Sequence, residues 1–201
     1  MFEQEMTATS VIDAATGEND PSVAAFKPDG IAVVGSHPAT VMQTPFDKPW
    51  AIYACSPHNF EKRQLPRFDA WFEVHIPIAD KTRNYSYLKY LETIPLVWMR
   101  DQEAIQHFPG AKLYPEKEIK DEFGPFTFTS SIAFMLAMAI KDCEKHNIPK
   151  IGLWGIMQAS ANEYAYQRPG IQNLLWTAAK RGIKVIAPKE SRLFEPPEEN
   201  F

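Results

Sequence analysis

The sequence predicts one α/β domain, a mostly parallel sheet of about six strands with flanking helices. Three observations carry this. Short apolar runs without polar alternation recur along the chain, as in strands buried on both faces. Segments of helical spacing stand between several of these runs, the order that crossover connections between parallel strands require. The apolar share of 45% and charged share of 23% over 201 residues are those of a globular chain with one good-sized core.

Taken in order, residues 1–26 carry five carboxylates and neither Lys nor Arg, with no lasting apolar period. They are expected to form a disordered acidic arm. Ile31–Val34, closed by Gly35, is the first predicted strand, Trp50–Cys55 the second and Ala70–His75 the third, with Pro77 beyond it. Asn84–Thr93 has helical spacing through Tyr87, Leu88 and Leu91. Leu96–Met99 is the fourth strand. Residues 100–115 read as irregular, with a turn at Pro109-Gly110. The clearest helix is Thr129–Lys145. Ile132, Met135, Leu136, Ala139, Ile140 and Cys143 share one face, and Phe134, Ala137 and Met138 make the other apolar too, so the helix is expected at the centre. Ile151–Gly155 is the fifth strand and Ile183–Ile186 the sixth. Between them Pro169–Arg181 reads as a helix with Pro at its first position and Gly182 as its stop. The domain is thus 27–194, Rossmann-like, followed by a loose tail over 195–201.

Net charge is −4 and the basic residues are scattered, as Lys62-Arg63, Lys117, Lys120 and Lys180-Arg181. No duplex nucleic acid is expected as a partner. Cys55 and Cys143 read as buried thiols, and no Cys/His spacing fits zinc, so no metal is assigned. The residues name no cofactor. The longest apolar run, Ile132–Ile140, is too short to span a bilayer, and the amino terminus lacks the pattern of a signal peptide. A cytoplasmic protein without a membrane partner is expected. A homo-oligomer is compatible with such a domain, and no sequence feature decides it.

Ligands of open parallel sheets collect beyond the carboxyl ends of the strands. There the first strand offers Gly35-Ser36-His37-Pro38, either a loop whose N–H groups cradle an anion or a plain turn. It matches neither the dinucleotide fingerprint nor the P-loop. Ser56 and Asn59 follow the second strand and supply pairs that read a base or ribose, or simply turn chemistry. His75 ends the third strand, as a general base or a half-buried histidine with an ordinary partner. Thr129, Ser130 and Ser131 open the central helix, where hydroxyls and the positive dipole end favour phosphate; capping alone needs only one of them. After Gly155 comes Glu163-Tyr164-Ala165-Tyr166-Gln167-Arg168-Pro169. Glu163 is a candidate acid/base and Arg168 a candidate for phosphate or carboxylate, or the two form a structural pair.

These motifs together resemble a group of uncharacterised phage and prophage proteins, over about 30 to 194. They are distantly similar to the CMP-sialic-acid-dependent bacterial sialyltransferases and to the pterin pyrophosphokinase-like family. Gly35-Ser36-His37-Pro38-Ala39 stands where these families have a Gly-x-Gly-Pro-Ser-like loop. Cys55-Ser56 stands where the sialyltransferases have Cys-Asn, and Thr129-Ser130-Ser131 looks like their Thr-Ser-Gly helix start. Three positions depart: the second Gly is lost, Ser56 replaces Asn, and Met157 replaces the Asp of Gly-x-Asp, so no role of that Asp carries over. The resemblance implies nucleotide or nucleotide-sugar binding across the first two loops and the central helix. It points to a glycosyl- or nucleotidyltransferase-like protein acting on a small metabolite or modified base. The alternative is a non-catalytic phage-type protein that sequesters a nucleotide or binds a host protein through its acidic arm and the aromatics Tyr85, Tyr87 and Tyr90.

Overall fold

The computed structural model describes residues 28–55, 65–75, 85–157 and 163–194, with Glu163, Tyr164 and Ala165 by backbone alone. The expected acidic arm, the tail over 195–201, Ser56 and Asn59 lie outside the described residues. Strands β1 (Gly30–Val34), β2 (Trp50–Cys55), β3 (Ala70–Glu73), β4 (Val97–Met99), β5 (Ala111–Leu113), β6 (Lys150–Trp154) and β7 (Lys184–Ile186) form one sheet in the order β5-β4-β3-β2-β1-β6-β7. Every neighbouring pair is parallel. The chain steps outward from β1 to β5, then crosses back to place β6 on the other side of β1. The strand order therefore reverses between β1 and β6, where doubly wound sheets open a crevice.

Among the described residues four helices accompany the sheet: α1 (Tyr85–Glu92), α2 (Glu116–Phe123), α3 (Ser131–His146) and α4 (Glu163–Lys180). The two-sided burial predicted for α3 holds, with every side chain from Ala133 to Ile140 buried. It lies chiefly over β1 and against α4, above Ile31, Val33, Tyr53, Phe72, Ile151 and Leu153. Asn147, in the left-handed region (φ 53°), stops it and donates its N–H to the Cys143 and Glu144 carbonyls. Only three residues then lead to β6, so α3 runs antiparallel to the strands and its amino end stands at their carboxyl ends. On the opposite face α1 packs Tyr87 and Leu91 onto Trp71, Val97 and Met99.

Two sequence expectations are corrected and one unread helix is added. The sheet has seven strands, because β5 lies within the stretch read as irregular. A three-residue edge strand need not be apolar, and its side chains are half-buried or exposed. Gly110 leads into it because a Cβ there would stand 2.0 Å from the Ile94 carbonyl oxygen. The short helix α2 was also unread; it buries only Ile119 and Phe123. Finally, α4 starts at Glu163, so Pro169 lies inside the helix rather than at its first position. The ring removes the N–H that would bond back to Ala165.

The connection between β1 and β2 contains no α-helix, only a 3-10 turn over Val41–Gln43. Arg67 fastens it. Its guanidinium donates to the carbonyls of Phe46 (2.8 Å), Lys48 (2.9 Å) and Trp50 (2.8 Å) and pairs with Asp69 (3.0 Å), whose carboxylate also accepts the Ile52 N–H (2.7 Å). Val41, Phe46, Leu65 and Phe68 thereby cover Ala32, Val34 and Ile52. Arg67→Ala strips these partners and leaves Asp69 without its cation. It is expected to cost about 2 kcal/mol in urea unfolding. A variant as stable as the parent would show that the loop holds itself.

Candidate functional site

The carboxyl ends of β1 and β6 meet through two glycines. Gly35 donates its N–H to the Trp154 carbonyl (2.8 Å), and His37 donates to the Gly155 carbonyl (2.7 Å). The Gly155 N–H reaches the buried Thr40 hydroxyl (2.8 Å). A Cβ on Gly35 would lie 2.4 Å from the Gly155 oxygen, and one on Gly155, where φ is +65°, 2.5 Å from the Gly35 oxygen. Both glycines singled out in the sequence are thus required by backbone contact with each other. That contact fixes the floor of the crevice, with Ser36 at its lip.

The amino end of α3 stands over the same end of the sheet. Ser130 caps the helix, its Oγ accepting the Ala133 N–H at 3.3 Å. Of the three hydroxyls, one is therefore committed to capping. Thr129 Oγ1 is buried and finds no hydrogen-bond partner among the described residues. A buried hydroxyl left unsatisfied costs about 1–3 kcal/mol, so this one is either strain or a place for a ligand atom.

At the end of β3 a hydrogen-bonded chain leads from the core to His75. Trp71 Nε1 donates to Tyr87 Oη (3.0 Å), and Tyr87 donates to Glu73 Oε2 (2.7 Å). Glu73 Oε1 accepts the His75 backbone N–H (3.1 Å) and lies 2.5 Å from His75 Nδ1. Glu73 is 1% exposed while the His75 side chain is 52% exposed. A fully buried carboxylate therefore grips an imidazole whose far side faces solvent. Tyr87, expected from sequence to meet a partner together with Tyr85 and Tyr90, is instead buried, with its hydroxyl as the link in this chain; Tyr85 is exposed. Beside Glu73, burial first and then the carboxylate's charge push the Cys55 thiol up to about 12, so Cys55 is an inert core thiol, as its sequence context suggests. Cys143 is likewise buried and free.

Arg100 follows β4. It makes a two-pronged contact with Glu116 at the start of α2 (2.6 Å each), donates to the Val74 carbonyl (3.1 Å) and lies over the Phe134 ring in the first turn of α3 (4.6 Å). Tyr114 donates to the Phe134 carbonyl (2.7 Å). Arg100 thus ties the β3 end bearing His75 to the α3 end bearing Ser130 and Ser131. A cleft of about 630 Å³ opens beside it, lined by Leu113, Pro115, Lys117 and Asp121 among others. The Arg100 hydrogen bonds hold the Glu116 carboxyl down at about 2.

Arg168 donates to the Arg192 carbonyl (2.8 Å), and Gln172 from the same helix donates to that of Leu193 (2.9 Å), so both hold the segment after β7. Glu163 begins α4. Sequence reasoning missed Glu73, Thr40 and Arg100. Glu73 carried a signal, since it is the one charge in the otherwise apolar Ala70–Val74 run and faces the same side as Trp71. Among the described residues no cluster of His, Cys, Asp or Glu could hold a metal ion, and no helix is long and apolar enough to cross a membrane.

No protein-family model matches the sequence, and no curated protein is similar to it. Two solved structures share the fold. One is the sialyltransferase CstII from Campylobacter jejuni in complex with the substrate analogue cytidine-5'-monophosphate, with a TM-score of 0.52 and 17% identity over 79% of this chain and 78% of that one. The other is a variant of sialyltransferase Cst-II in complex with CMP, with the same TM-score and identity over 80% of each chain. At this identity the likeness is one of fold, and it accords with the α/β, Rossmann-like architecture and the distant sialyltransferase resemblance expected from the sequence.

Two outcomes follow. Gly155→Ala meets both a backbone oxygen and a left-handed φ, and is expected to cost about 2–4 kcal/mol or abolish folding; near-parent stability would mean the two loops separate freely. For Glu116, a folded value of about 2 against the ordinary 4.5 means that its contribution is present above about pH 4.5 and lost as pH falls through 2. The unfolding free energies of the parent and Glu116→Gln in urea should therefore differ at pH 6, by about 1 kcal/mol for a pair partly open to solvent, and converge near pH 2. A gap independent of pH would place the effect in packing.

Proposed function

We propose that this protein binds a nucleotide sugar over the reversal between β1 and β6 and transfers its sugar to a small acceptor. The observation that carries this reading is the amino end of α3, with its surplus hydroxyls and the buried Thr129 Oγ1, which has no hydrogen-bond partner among the described residues, set over the carboxyl end of β1. The shared fold of a sialyltransferase solved with cytidine-5'-monophosphate supports it. In this reading Ser36 and Thr129–Ser131 hold phosphate, Gly35, whose own N–H is bonded to Trp154, lets the loop come close to it, and Ser56 and Asn59, which follow β2, read base or ribose. His75 lies two strands from β1, roughly 10 Å away at the usual strand spacing, within the reach of a sugar carried beyond the phosphate. The acceptor oxygen forms its bond to the anomeric carbon, and its proton passes to His75. The bond between that carbon and the phosphate oxygen breaks, and the nucleotide leaves with the electron pair. Glu163 and Arg168 on the first turns of α4 are the remaining candidates, for the proton and for developing charge. The cytoplasmic, phage-type setting expected from the sequence belongs to this reading.

A second reading, sequestration of a nucleotide without turnover, is favoured by Met157, which stands where the sialyltransferase pattern has Asp. Turnover separates the two, since a sequestering protein returns its ligand unchanged.

Calorimetric titration with cytidine-5'-monophosphate tests the site. Thr129→Val removes a hydroxyl that has no protein partner among the described residues, so stability should hold or rise. Affinity should fall about tenfold, or about 1.4 kcal/mol. Binding by the parent with unchanged affinity in the variant would remove Thr129 from the site. No binding by the parent of this or any other nucleotide would overturn the reading.

A further inference from the structure

Proton inventory fixes the direction of the chain that ends at His75. An indole nitrogen only donates, so at the Trp71–Tyr87 contact the phenol oxygen accepts. The Tyr87 hydroxyl in turn donates to Glu73 Oε2. The His75 backbone N–H, which also only donates, occupies Oε1. Donors on both oxygens favour the ionised, acceptor-only carboxylate. His75 Nδ1 lies 2.5 Å from Oε1, where a hydrogen on that nitrogen completes the contact with an ionised carboxylate.

We propose that Glu73 is a positioning residue that holds neutral His75 as the Nδ1–H tautomer, presenting the Nε2 lone pair to solvent as a proton acceptor. The proposal rests on the reading above in taking His75 as the base of the transfer, and it names the group that makes it one. The local sequence suits the task. Trp71 and Glu73 lie two residues apart on one face of β3, so the strand itself sets the carboxylate against Tyr87 of α1. The chain leaves the sheet at Val74, whose carbonyl is held by Arg100, and the His75 ring folds back onto Glu73. A free imidazole favours the other tautomer in water and turns about two torsions. Here the carboxylate selects both the tautomer and the ring orientation before any substrate arrives, which is what efficient proton transfer needs.

Long-range proton–nitrogen correlation spectra of the full chain, labelled with nitrogen-15 histidine, read this directly at a pH where imidazole is neutral. His75→Gln, a change at a half-exposed side chain, assigns the signals. The expected result is a protonated Nδ1 and an unprotonated Nε2 for His75; a predominant Nε2–H form would overturn the proposal, and this parent spectrum decides even where a variant fails to fold. Glu73→Gln should erase the single-tautomer signature, and its persistence would also count against Glu73. Cytidine-5'-monophosphate should bind Glu73→Gln within about twofold of the parent, because Glu73 acts on the proton acceptor and not on phosphate. Failure of the parent to bind any nucleotide overturns the nucleotide reading and leaves the tautomer result standing, so the two fail separately.

Discussion

The close approach of Gly35 and Gly155 is the constraint on which the working end of this molecule depends. Parallel strands that part company at a reversal normally leave their carboxyl ends to diverge. Here backbone hydrogen bonds from Gly35 and His37, with the Thr40 hydroxyl on Gly155, lock the ends of β1 and β6 together. Only residues without a Cβ let the two carbonyls come so near. The arrangement sets a rigid floor, and the amino end of α3 is held above it by a helix buried on every side.

Two polar networks then build outward from that floor. One runs from the core through Trp71, Tyr87 and Glu73 to His75. The other ties Val74, Arg100, Glu116 and, through a second contact, Lys120 to the first turn of α3. They meet at the Val74–His75 step. The same short piece of backbone therefore answers to both, so that the imidazole is located by two independent sets of bonds. Arg100 is spent on Glu116 and on structure, whereas Arg168 gives one Nη2 bond to the Arg192 carbonyl.

How much of this was legible follows from the physics of each element. Strands buried on both faces announce themselves as apolar runs, and β1, β2, β4, β6 and β7 were found close to their observed bounds. The edge strand β5 and the helix α2 bury little and so leave little pattern. The start of α4 was missed because a proline usually marks the first turn, whereas here Pro169 sits within the helix. Of the site, the positions at strand ends were readable, since topology alone puts Gly35, His75 and Gly155 there. The role of Glu73 was not, because it depends on α1 delivering Tyr87 from fourteen residues away. Nor did the sequence reveal that the two glycines serve each other, which requires contact between loops at either end of the chain.

The reversal of strand order also has a consequence for synthesis on the ribosome. β1 is an interior strand of the finished sheet, yet Ile31 pairs with Ile151, 120 residues later (151 − 31). At roughly 5–20 residues per second, one whole edge of β1 waits about 6–24 s for its partner. During that interval an edge of a strand with apolar side chains, its amides unpaired, is open to any other extended chain. The nascent protein is most vulnerable where the mature one is most secure.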